Sequence, residues 1–353
     1  MITDNHVATA VAQGIITPEQ ASRLQALAGA QAPDVSAAEA ASDPDDERFR
    51  LIGGFNDVFV TIGVGLLISA LFGLARVLEL TSGFSVLALV FAWGLSEVFS
   101  RRMRLALPSI VLAFMFAGAA ALLAGSLADG AFAAMGVTSE AAASWSLVVA
   151  AAASAVAAFV HERRFQVPID TAITAGSVIC ATILGATAAF PAWSGGLTIL
   201  LTALFGFGVF LAALRIDATD PQRVTRRSDV AFWLHMLAAP MIVRSVMPLA
   251  TAGTSEIDAL RAIFMLAAFA LLGLVALVID RRALLVSGLT YAGIAIAYLL
   301  SQSVNQEGLG LSLTLLSLAA VVLTLSAGWR SLRKAIVPRL PLGRLHSLVP
   351  PPT

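Results

Sequence analysis

Residues 229–248 read DVAFWLHMLAAPMIVRSVMP. The run is long enough to cross the hydrocarbon of a bilayer, which takes about 20 apolar residues as a helix. It carries more polar chemistry than any other apolar run in the chain: Asp229 at its start, His235 two turns in, Pro240 mid-span and Arg244 beyond. Nine further runs of similar length surround it, built mainly from Ala, Leu, Val, Gly and Phe. The pattern predicts an all-α fold, a polytopic membrane bundle of about ten spanning helices.

Composition supports this. Hydrophobic residues are 58% of the 353 and charged residues only 12%, with a mean hydropathy of +0.88. A soluble domain cannot enclose so much apolar side chain. Net charge is zero, so no overall basic field points to nucleic acid. The single cysteine, Cys180, excludes an intrachain disulfide and a multi-cysteine metal site. Lying in an apolar span, it reads as a small buried hydrophobe. One Lys against 21 Arg is the bias of a high-GC bacterial genome, so the expected location is a bacterial inner membrane. The first 50 residues are polar and Ala-rich and do not read as a cleavable signal peptide.

Four regions follow. Residues 1–30 read as a helical hairpin. Thr3 or Asp4 caps a first helix, and Gly14 suits the left-handed position past its end. Thr17-Pro18-Glu19-Gln20 then restarts the chain, with Thr17 as N-cap, Pro18 at the first helical position and Gln20 closing a capping box. Leu24 and Leu27 are expected to face Val7 and Val11. Residues 31–50 form a flexible acidic linker. Residues 51–330 are the ten-span domain, and 331–353 a basic, Pro-rich tail. Asn56 or Asp57 can cap the first span, or line a cytoplasmic mouth.

The spans fall near 58–76, 82–100, 105–127, 141–160, 169–190, 195–214, 229–249, 259–279, 283–301 and 308–328. Every second break between them is basic: Arg101, Arg102 and Arg104; Arg163 and Arg164; Arg215, Arg223, Arg226 and Arg227; Arg281 and Arg282; Arg330, Arg333 and Lys334. The intervening breaks carry almost no positive charge, Arg76 and Arg261 excepted. Basic loops stay in the cytoplasm, which places both termini there.

Small residues four apart predict close helix packing. They run Gly65-Ser69-Gly73, Ala113-Ala117-Ala121-Gly125 and Ala181-Gly185-Ala189. The Ala-rich fourth span is expected to be enclosed by other helices.

Candidate pathway residues for substrate or protons are His235, Arg244, Trp233, Asp229, Asn56 and Asp57. An intramembrane arginine or histidine is expensive and pairs, reaches water or works. His235 and Arg244 lie nine positions apart, on opposite faces of a helix that turns about 100° per residue. Arg244 can snorkel to the outer surface or meet an anion. His235 can bond a carbonyl or couple protons. Glu97, Glu162 and Asp280 adjoin arginines and read as interfacial ion pairs, and Asp170 reads as an N-cap. No GxxxxGK[ST] loop, HExxH, G-x-S-x-G elbow or CxxC pair occurs. The expectation is therefore no enzyme, no cofactor and no metal.

The hairpin AVAQGIITPEQASRLQAL, the acidic linker and FNDVFVTIGVGLL resemble a family of uncharacterised bacterial multi-pass membrane proteins. SDVAFWLHMLAAPMIV and VIDRRALLVSGLTYAG look like the same kind of protein. Such proteins carry a small cytoplasmic helical region before their apolar spans, and the resemblance implies no activity. Ten spans with both ends inside are also similar to drug/metabolite transporters, with inverted five-span halves. The leading functional expectation is a small-solute transporter. The alternative is a membrane scaffold or regulator whose hairpin binds a cytoplasmic partner.

Overall fold

In the computed structural model of the chain, residues 9, 11–23, 55–79, 81–220, 223, 225–250, 258–302 and 307–340 are described. The chain divides into two compact units, Met1–Phe49 and Arg50–Thr353.

In the first unit Gly14 takes φ +69°, left-handed and open to glycine. The capping box forms: Gln20 Oε1 accepts from Thr17 N at 2.9 Å, and Thr17 Oγ1 accepts from Gln20 N at 3.3 Å. The expected partners Val7, Leu24 and Leu27, the linker and the chain beyond 340 lie outside the described residues.

The second unit is a bundle of ten helices among the described residues. They are α1 (Phe55–Val77), α2 (Thr81–Ser96), α3 (Ala106–Ala134), α4 (Glu140–Phe165), α5 (Pro168–Ala189), α6 (Ser194–Ala218), α7 (Arg226–Ala250), α8 (Ala259–Ile279), α9 (Ala283–Ser301) and α10 (Glu307–Ile336). Each matches one predicted span. Among the described residues nine stretches are long and apolar enough to cross a membrane, and Gly288–Ser301 of α9 is a shorter apolar one. Large apolar side chains such as Phe59, Leu66, Leu122, Val156, Leu204 and Leu323 stay exposed on the outer faces. In water that surface would be untenable; in lipid it is the expected one. The protein is an integral, multi-pass, all-α membrane protein.

Local chemistry sets the turns. Ser139 caps α4 by accepting from Ala142 N, and Asp258 caps α8 by accepting from Arg261 N at 2.8 Å. On the arginine-rich face the connections hold non-glycine residues with positive φ: Arg104, Gln166, Arg223 and Asp280. Such a conformation costs an L-residue roughly 1–2 kcal/mol, so the packing on either side holds these four in place.

The helix α7 is the centre. It packs on α5, α6, α8 and α9 and buries 39% of its span, against 6% for α1. Its inward face is Ala231, Leu234, His235, Ala238, Ala239 and Val243, at helical spacing; Pro240 and Arg244 face out. Gly206 lets α6 approach it: a Cβ there would meet Met241 Cβ at 3.0 Å and Ile242 N at 3.2 Å.

Several expectations change. Ala113 and Ala117 are buried, and a Cβ on Gly125 would lie 3.2 Å from Ala150 Cβ, so that ladder packs α3 on α4. Gly65 and Gly73 have open space where a Cβ would go, so the α1 ladder meets no helix. The Ala-rich α4 is not enclosed: it packs an alanine face on α3 and α5 and turns Leu147 and Val156 outward. Cys180 is exposed, because α5 has an outer face. Asn56 and Asp57 lie inside the first turn of α1 and do not precede it.

Candidate functional site

Several helices run past the apolar windows read from sequence, and their polar extensions fold inward at the arginine-rich face. Two buried polar clusters result.

The first joins α2, α4 and α5. Gln166, in left-handed geometry, and Pro168 make the α4–α5 turn so short that His161 and Asp170, nearly equidistant from it, face each other. His161 Nδ1 lies 2.7 Å from Asp170 Oδ2, and His161 Nε2 lies 3.0 Å from Ser96 Oγ. All three residues are enclosed. Phe165 and Phe116 pack on the imidazole at 4.5 and 5.6 Å between centroids, and Trp93 closes the box against both. Asp170 is thus not the cap of α5: Val167 occupies that position, and the carboxylate turns to His161 because Pro168 already starts the helix. Its second oxygen, Oδ1, is buried with no hydrogen bond to the described residues. Ser96 sits where α2 passes into a π-helical turn, Glu97–Arg102, a distortion that often accompanies a functional position.

A half-exposed ring of ion pairs surrounds this cluster. Glu97 accepts from Arg164 Nε at 2.7 Å and from Arg101 at 3.2 Å. Glu162 accepts from Thr171 Oγ1 at 2.8 Å and from Arg226 at 3.2 Å, which ties the α4–α5 turn to the start of α7. Exposed pairs of this kind contribute little stability, about 0–1 kcal/mol.

The second cluster joins α6 to α10. Asp280 accepts from Trp329 Nε1 at 2.8 Å and Arg223 at 2.9 Å, with Arg333 at 3.6 Å. Arg333 also donates to Leu277 O at 3.1 Å, and Arg223 to Ile279 O at 3.3 Å. Arg281 makes a two-pronged bond to the Asp217 carboxylate and donates to Ser228 Oγ at 3.0 Å. Arg282 stacks on Trp329 at 5.1 Å. Asp280 therefore forms a buried pair with distant arginines, where an interfacial pair with its neighbours was expected. Its left-handed backbone turns the carboxylate back under the bundle.

The residues singled out from sequence scatter around these clusters. His235 lies on the inner face of α7 and is fully buried. Neither ring nitrogen has a hydrogen bond to the described residues, and Phe210 stands edge-on at 5.4 Å. Trp233 packs on Phe232 and joins the apolar cluster of Ala113, Phe165 and Ile169, beside the first site. Asp229 is half-buried in the first turn of α7, Asp57 is buried in α1, and Asn56 and Arg244 are exposed. The structure does not bring His235 and Arg244 together. Ser96, His161, Asp217 and Trp329 were not singled out. The signal for His161 was its near-symmetry with Asp170 about the Gln166–Pro168 turn.

The fold and these clusters define a polytopic membrane protein with buried ionisable groups at one end of its bundle. No protein-family model matches the chain, nor does any curated protein or solved structure.

Proposed function

We propose that the protein is a small-solute transporter in a bacterial inner membrane, with a polar step at His235. The observation that carries this is the enclosed His235 ring, unbonded by the described residues on the most buried helix. An unsatisfied buried polar group costs about 1–3 kcal/mol, and a leucine would fill that position without the cost. A histidine kept there is available to a solute or a proton when the helices around α7 part. The alternating arginine-rich breaks support both termini in the cytoplasm.

The test uses proteoliposomes holding a pH-sensitive dye and a panel of small organic cations, anions and amino acids. At least one solute should move protons in wild type, and His235→Ala should abolish the movement. Equal rates in wild type and H235A would remove His235 from the path.

A second reading is favoured by the separate compact unit 1–49: a scaffold whose hairpin holds a cytoplasmic protein. Deleting 1–47 discriminates, because a transporter keeps its flux and a scaffold loses its partner.

A further inference from the structure

The chain Ser96–His161–Asp170 has the atom order of a nucleophilic triad, hydroxyl to Nε2 and carboxylate to Nδ1. Its hydroxyl is enclosed, however, and Trp93, Phe116 and Phe165 occupy the space around the ring. An acyl substrate has no approach. A proton needs none beyond a hydrogen-bonded exit. We propose that Ser96, His161 and Asp170 form a proton-binding site: the His161–Asp170 pair loads one proton and exchanges it through the Ser96 hydroxyl with water at the arginine-rich face.

With one shared proton the pair is neutral overall, as imidazolium beside carboxylate or imidazole beside carboxylic acid. A fully enclosed site favours that total charge over −1 or +1. Release is a relay. The Nε2 proton passes to Ser96 Oγ as the hydroxyl proton passes on to water, a step that needs the π-helical turn after Ser96 to open the enclosed hydroxyl to the arginine-rich face. His161 is left neutral, still donating from Nδ1, and Asp170 is left ionised. The departing proton leaves one negative charge.

The groups around it can hold that charge. Glu97 and Arg101 in the π-helical turn, Glu162 and Arg164 on α4 and Arg226 at the start of α7 form the surrounding ring, three arginines against two carboxylates, and α3 contributes the uncharged Phe116. The unbonded Asp170 Oδ1 is the second sign. A carboxylate held only to orient a ring would have both oxygens satisfied, whereas one that alternates between acid and anion cannot keep a fixed donor on each.

Proton loading at this pair depends neither on His235 nor on solute transport. The test is histidine ring NMR on full-length, ¹⁵N-histidine protein in nanodiscs. The chain has four histidines, His6, His161, His235 and His346, and His161→Phe identifies the signal. Spectra are taken over a pH series from about 5 to about 8, and the expected result is a far-downfield Nδ1 proton that disappears in Asp170→Asn, and ring nitrogens whose protonation changes along the series. Ser96→Ala should keep the downfield proton but slow its exchange with water at least about tenfold. A ring locked in one neutral tautomer across that range overturns the proposal, as does unchanged exchange in S96A. The wild-type titration decides loading, so the test survives a variant that fails to fold.

Discussion

Asp280→Asn tests the second cluster most sharply. Asparagine matches aspartate in shape and also tolerates the left-handed backbone (φ +57°) that residue 280 adopts. The substitution therefore removes charge and little else. In the folded protein the carboxylate meets Arg223 at 2.9 Å, Trp329 Nε1 at 2.8 Å and Arg333 at 3.6 Å, with Arg333 only 1% exposed. Two short hydrogen bonds to a charged acceptor are worth about 1.5–3 kcal/mol each. Removing one partner of a buried ion pair costs about 3–5 kcal/mol, because the other charge is left uncompensated. D280N should thus destabilise by about 3–5 kcal/mol. Asp280→Ala should be worse by a further ~1 kcal/mol for the backbone. The assay is reversible unfolding in mixed micelles of increasing SDS content, followed by tryptophan fluorescence. Combining D280N with Arg223→Gln should cost less than the sum of the two, since they share one interaction. A D280N protein within about 1 kcal/mol of wild type would refute the reasoning and make the cluster a solvated surface pair.

Other expectations follow from the same physics. His235→Leu should raise stability by about 1–2 kcal/mol, because it removes two unbonded ring nitrogens; the same unfolding assay reads it, and a loss of stability would mean that the ring is satisfied. Gly288→Val should destabilise by at least about 1–3 kcal/mol through overpacking. A Cβ there would already stand 2.8 Å from Phe269 Cδ2, and Gly310→Val, with open space at its Cβ, is the matched control. Fusing a fluorescent reporter after residue 104 or 166 should give signal in cells, while a periplasmic phosphatase should be active after residue 136 or 192. The opposite pattern would invert the assigned orientation.

Which helices exist, where they turn, and which ends share a face were legible in the sequence. Hydrophobic length is a local property: a run of about 20 apolar residues must be a helix in lipid because its backbone has no other partner. Arginine alternation is equally local. The Thr17–Gln20 box and Gly14 were readable for the same reason, each being a bond or dihedral within a few residues. The prominence of 229–248 also carried over, since α7 is the most enclosed span.

The polar clusters were decided only by tertiary structure. Reading hydropathy ends a span at its first charges, so the fourth stopped at 160 and the tenth at 328. Helical hydrogen bonding does not stop there: α4 runs to Phe165 and α10 to Ile336. Those extra turns carry His161, Trp329 and Arg333 into the bundle. Asp280 looked like the partner of Arg281 beside it, yet it bonds Arg223 and Trp329, 57 and 49 residues away. Whether a charge at a helix end faces water or the core depends on which helix lies opposite. That is a property of the assembled bundle, and no window along the chain contains it.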